Sequence, residues 1–209
     1  MGDKRTQSYT FKQINCYSHL VIFILREQDA IGEKMKRYHP LLVSLHWLLA
    51  VLILFSLFAG SIILADMPND NPDKIAILKV HFISGLVILV LMLLRLFVRI
   101  KTGKPVAIDT DDVFINKTGK YSHILIYVLV FLIVGSGLGA AILAGLSDIV
   151  FFGSGEALPE TFDDLPPRIA HGVLTKILIV TKTLHFLATM WHQFIRKENV
   201  LSRMWFGKR

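Results

Sequence analysis

Two stretches of this chain, residues 41–65 and 124–146, run for more than twenty residues without a single Asp, Glu, Lys or Arg. A helix in a water-soluble bundle needs a polar face, and neither stretch has one. Two further stretches, 80–98 and 169–195, are nearly as apolar. A hydrocarbon core about 30 Å thick takes about 20 apolar helical residues to cross, so each of the four is long enough to span it. With 53% hydrophobic residues overall, no internal repeat and polar connectors at 66–79, 101–120 and 147–168, the expected fold is all-α. It is an integral membrane four-helix bundle, multi-pass, formed by residues 35–209 as one domain, with the lipid bilayer as its first partner.

The formal charge of +7 could suggest nucleic acid, but its distribution argues for topology instead. Lys34, Lys36, Arg37, Arg99, Lys101, Lys104, Lys117, Lys120, Arg196, Lys197, Arg203, Lys208 and Arg209 flank one set of span ends. The other set carries Lys74, Lys79 and Arg168 beside Asp66, Asp70, Asp73, Asp148, Glu156, Glu160, Asp163 and Asp164. By the positive-inside rule both termini are cytoplasmic, and no nucleic-acid partner is expected.

Residues 1–34 form an N-terminal extension of uncertain structure. Its apolar part, residues 14–25, is too short to span, and no small-residue cleavage site follows it. Met35 opens a basic run that would serve as a natural start before the first span. The single cysteine, Cys16, excludes an intrachain disulfide and a Cys-x-x-Cys-His haem attachment. Any haem is therefore of the b type, held by iron ligands and packing.

Histidines supply the candidate ligands. His171 and His185 are fourteen residues apart in the fourth span, a rise of roughly 21 Å with both imidazoles within about 40° of one face. One helix can thus present a ligand near each membrane surface. With spans one and three running outward and two and four returning, His46 shares the inner depth of His185, and His81 shares the outer depth of His171. The pairs His46/His185 and His81/His171 are the expected axial ligands of two stacked haems, since bis-histidine ligation favours electron transfer over oxygen binding. His192 faces the same way as His185, but its spacing from His171, roughly 31 Å, would push a haem into the headgroups. His123 opens the third span near the inner surface, where no partner of similar depth is left for it. With His192 and Trp191 it forms a candidate quinone-side site, although an interfacial position is the simpler reading. His19 and His39 read as surface residues.

Small residues would let a flat macrocycle approach: Gly85 lies one turn after His81, and Gly135, Gly137 and Gly139 cluster in the third span. Such glycines equally serve close helix packing. Arg95, an intramembrane cation near the inner end of the second span, either snorkels or pairs with a buried anion such as a haem propionate. Lys176 and Lys182 lie in the fourth span. Lys182 is between the two ligand positions, within roughly 20° of the His171 face, and no role follows for it from the sequence.

These residues resemble a known family, the prokaryotic cytochrome b-561 group of the cytochrome b membrane domain. The resemblance rests on Leu45-His46-Trp47, His81 with Gly85, Leu94-Arg95-Leu96, His123 with Tyr127 and Gly137, His171, Leu184-His185, His192-Gln193-Phe194 and the run from Asn199 to Met204. It covers residues 36–206. It implies a diheme protein of the bacterial inner membrane that exchanges electrons with the quinone pool, with quinone, quinol or superoxide as redox partners and ligands at His46, His81, His171 and His185. Gly172, where the family often has an acid, and Lys182, at an otherwise apolar position, depart from its pattern, and residues 1–34 have no counterpart in it. Two other functions compete on sequence alone: a cytochrome b anchor subunit of a larger dehydrogenase or hydrogenase, and a haem-free transporter using the histidines and Lys182 as a proton path. Neither the electron donor nor an enzymatic role follows from the sequence.

Overall fold

The computed structural model describes residues 37–102 and 113–206, so the extension at 1–34, with Cys16 and His19, lies outside the described residues, as do Lys34, Lys36, Lys104, Lys208 and Arg209. The described elements are all helical: α1 (Pro40–Phe58), α2 (Lys74–Lys101), α3 (Val113–Leu143), α4 (Leu146–Val150), α5 (Pro166–Met190) and α6 (Val200–Arg203). Two π-helical turns, Ala59–Leu64 and Trp191–Ile195, continue α1 and α5. Four of the helices are long and apolar enough to cross a membrane.

Local chemistry sets the helix ends. Pro40 opens α1 at a position whose missing N–H costs nothing, and His39 caps it by accepting from the Leu41 N–H at 3.2 Å. Pro166 does the same for α5. At Gly145, φ of 62° ends the third span in a left-handed turn that a side chain would resist. Such a turn is cheap only for glycine.

α2 begins at Lys74, earlier than the second apolar stretch, and Lys74 is only 5% exposed. Its ammonium donates to the carbonyl oxygens of Leu64 and Met67, where α1 ends. A lysine that reads as connector is therefore a clamp. Helix α4 is likewise absent from the hydropathy reading, which sees a polar connector. Leu146, Ile149 and Val150 bury against Ala141, with Ile75, Leu78, Phe82, Leu158 and Phe162 packed around them. This cap closes one end of the bundle, and Asn69 ties it down by donating to the Pro159 carbonyl at 2.7 Å.

The opposite end is closed by the C-terminal tail. Trp47 Nε1 donates to the Met204 carbonyl at 2.8 Å, Trp47 and Trp205 meet edge to face at 5.9 Å, and Arg37 donates to the Phe206 carbonyl. The start of α1 and the end of the fourth span thus share one side, here the tail end. Between the ends, a central layer of Leu49, Ile53, Ile88, Met92, Leu129, Val130 and Leu178 draws on all four long helices. The outward faces stay apolar: Val51, Val90 and Val180 are 64%, 63% and 59% exposed at mid-span, as a lipid-facing surface requires.

Candidate haem sites

The long helices associate as two pairs, α1 with α2 and α3 with α5, and the seam between the pairs is the more open contact. His46 and His81 belong to the first pair; His123, His171 and His185 belong to the second. Every expected ligand pair therefore bridges the seam.

At the cap end His81 and His171 face each other with ring centroids 6.2 Å apart and planes at 75°. With metal–imidazole bonds of about 2 Å, rings at this separation could hold an iron between them, so His81 and His171 would be the residues to ligate a haem there. His171 Nδ1 lies 2.9 Å from the Ile133 carbonyl, with Ser136 Oγ at 3.4 Å. As Nδ1–H it donates to that carbonyl, which fixes the tautomer and leaves Nε2 with its lone pair, the arrangement a metal-ligating histidine needs. His81 Nδ1 is buried without a hydrogen-bond partner.

Two glycines make room for these rings. A Cβ on Gly137 would meet His171 Cε1 at 3.0 Å and Nδ1 at 3.1 Å, and a Cβ on Gly60 would meet His81 Cε1 at 3.0 Å. Gly137 thus receives an imidazole, a more specific contact than the macrocycle face expected of it, whereas Gly85 and Gly135 have open space where a Cβ would stand and Gly139 packs on Pro167. Gly60 escapes sequence reasoning altogether. Its signal was the small run Ala59-Gly60-Ser61, which falls in the π-helical turn; such turns often mark functional positions.

The tail end gathers more groups. His46 is within electrostatic reach of His185, His123, Arg95 and Lys182. His123 and His185 meet edge to face at 5.2 Å, and His123 Nδ1 sits 2.6 Å from the Gly119 carbonyl. His123 therefore has a neighbour at its own depth, which the sequence reading did not give it. Arg95 donates to the Tyr127 hydroxyl and lies over that ring at 5.3 Å, so its guanidinium turns into the seam. Its Nε is buried without a partner, a free donor for an anionic group.

His192 and Trp191 lie in the π-helical turn that continues α5. His192 Nδ1 is 2.6 Å from Glu198 Oε2, and Arg196 Nε donates to Glu198 Oε1 at 2.6 Å. Desolvation there works the other way, yet hydrogen bonds from His192 and Arg196 hold the Glu198 carboxyl below the usual carboxylate range. His192 ties the tail through Glu198.

Among the described residues, no group of three or more His, Cys, Asp or Glu could hold a bare metal ion. Facing imidazoles, a buried nitrogen without a partner and glycine-made room fit a haem instead.

Comparison with known proteins agrees. The family model for prokaryotic cytochrome b561 matches residues 37–207. A probable superoxide oxidase, CybB, of Yersinia pestis is 26% identical over 179 residues, covering 83% of this chain and 98% of that one. Cytochrome b562 of Cereibacter sphaeroides is 26% identical over 170 residues, 80% of this chain and 94% of its own. Cytochrome b561 homolog 1 of Escherichia coli K12 is 22% identical over 172 residues, 81% and 97% respectively. With facing histidines inside apolar helices and a match running nearly from end to end of the described residues, this chain belongs to the prokaryotic cytochrome b561 family, bacterial membrane cytochromes b that carry b-type haem and transfer electrons.

Proposed function

We propose that the chain is a two-haem electron conduit of the bacterial inner membrane, with both termini cytoplasmic, passing electrons between a donor and the quinone pool. His81 and His171 ligate the outer haem, and His46 and His185 the inner one. Bound there, haem would supply one-electron transfer, and ligation by two histidines would favour that over oxygen binding. The observation that carries this reading is the His81–His171 pair, facing across the seam at 6.2 Å with His171 held in one tautomer by Ile133.

The protein's own residues do the positioning. Gly60 and Gly137 admit the outer imidazoles, and the Ile133 carbonyl aims one of them. Arg95, braced by Tyr127, is the donor for a propionate at the inner end. Arg168 is within electrostatic reach of both His81 and His171. A cation there suits an anionic donor, and superoxide, the substrate in the name of the Yersinia pestis relative, is one. The quinone side belongs at the tail end, by His123 and the neighbouring Trp191 and His192.

A direct test mixes the purified single chain with a short-chain quinol under anaerobic conditions and follows the reduced b-type band. We expect reduction with no other subunit present, slowed by at least about tenfold in His123→Ala, equivalent to about 1.4 kcal/mol in the barrier. A chain that takes up no electrons from quinol until another subunit is added is an anchor subunit instead, and the proposal fails.

A further inference from the structure

Between the two histidine ends of α5 runs one continuous stripe. His171, Thr175, Leu178, Lys182 and His185 follow at intervals of four, three, four and three residues, the spacing of a single helical face. Leu178 is buried in the central layer and lies seven residues from each histidine. Lys182 is on the tail-end side of that layer. It sits about 4.5 Å along the axis from His185 and about 16 Å from His171.

Lys182 lies thirteen residues before Ile195, where the span ends. That is roughly 20 Å of helix, beyond the reach of a snorkelling side chain of about 6 Å. It forms no hydrogen bond or ion pair with any described residue, and it is within electrostatic reach of both His46 and His185. From the other helices the group in its reach is His46 on α1, around which Arg95 on α2 and His123 on α3 also gather. Arg95 differs from it, because its guanidinium is already engaged by the Tyr127 hydroxyl. A charge so deep in a membrane helix is expensive, and such residues are retained where they act.

We infer that Lys182 is a tuning residue: its ammonium, held in the seam beside His46 and His185, raises the reduction potential of the inner haem and so sets the resting place of the electron at the tail end. The inference rests on the two-haem reading above. The oxidised haem carries one more positive charge than the reduced haem, so a nearby cation disfavours it, and in a low-dielectric interior that repulsion is strong. The outer pair has Leu178 and the central layer between it and Lys182, and about four times the axial separation. Its potential is set without it.

An equilibrium redox titration of the purified holoprotein tests this. In the parent protein the wave missing from His171→Ala is the outer haem, and the wave missing from His185→Ala is the inner one. Lys182→Met, which keeps length and apolar fit, is expected to lower the inner wave by a tenfold change or more in its redox equilibrium, 59 mV for one electron. The outer wave stays in place, and Lys182→Arg restores the inner one, which a role in packing alone would not produce. An inner wave unmoved in Lys182→Met overturns the inference, as does an equal shift of both waves. A parent protein that titrates as one haem overturns the two-haem reading; if that wave is the one lost in His185→Ala, its shift in Lys182→Met still decides the inference, and if it survives His185→Ala the inference falls with the reading.

Discussion

Single atoms decide the outer site. The 3.0 Å that would separate a Gly137 Cβ from His171 Cε1 is tighter than ordinary carbon contacts, so the ring must give, and the Ile133 carbonyl that holds it lies one turn away on the same helix as the glycine. Gly137→Ala should therefore push the imidazole off its hydrogen bond and off the seam, at an overpacking cost of about 1–3 kcal/mol. Haem analysis of the purified variant should show the outer haem lost or weakened and the inner one retained. Gly85→Ala, where a Cβ meets nothing within 4 Å, is the matched control and should keep both. Equal haem loss in the two variants would mean that these glycines matter for general packing only. The contrast also shows what a sequence can and cannot reveal at this scale. His171 and His185 are legible because fourteen residues close nearly four helical turns, a property of the chain alone. Which glycine meets which ring depends on the rotation of two helices remote in sequence, so the small run at Ala59-Gly60-Ser61 does not by itself say that Gly60 meets His81. His123 beside His185 was hidden for the same reason, since depth follows from position along a span and rotation does not.

At the level of elements, the apolar spans announce themselves, but the ends that hold them in register do not. Lys74 reads as a polar connector because its charge ends the hydrophobic run, while the carbonyls that capture it lie at the end of a π-helical turn, at Leu64, and in the bend after it, at Met67, which no propensity predicts. Helix α4 is too short for periodicity to distinguish. The tail depends on a similar closure: Glu198 bridges His192 and Arg196, and the backbone turns through positive φ at Lys197 and Asn199 to bring α6 under α1. Because the folded carboxyl titrates below its unfolded value, this contact stabilises the tail above about pH 4.3, the ordinary glutamate value, and is lost as pH falls through the lower folded value. Hydrogen exchange should show the amides of Val200–Arg203 protected at neutral pH and progressively less so as the acid range is entered. In Glu198→Gln they should exchange faster at neutral pH, with haem content unchanged. Protection unaltered by the substitution would place the hold on the tail in the Trp47 and Arg37 contacts instead.

As a whole molecule, the protein is two helix pairs with a histidine-lined seam, capped at one end by α4 and its loop and at the other by the C-terminal tail. The proposed orientation puts the tail end in the cytoplasm, on the charge bias of the span ends. In a Cys16→Ser background, a cysteine at Ser154 should react with a membrane-impermeant maleimide added to the periplasmic side and one at Ser202 should not; the reverse pattern inverts the topology and the direction of the conduit with it. The central claim, however, is that the seam holds one b-type haem at each end, ligated by His81 with His171 and by His46 with His185. Counting haem per purified polypeptide, in the parent chain and in His171→Ala and His185→Ala, tests it most directly. The account predicts two haems in the parent and one, a different one spectroscopically, in each variant; one haem in the parent, or two retained in either variant, would contradict it.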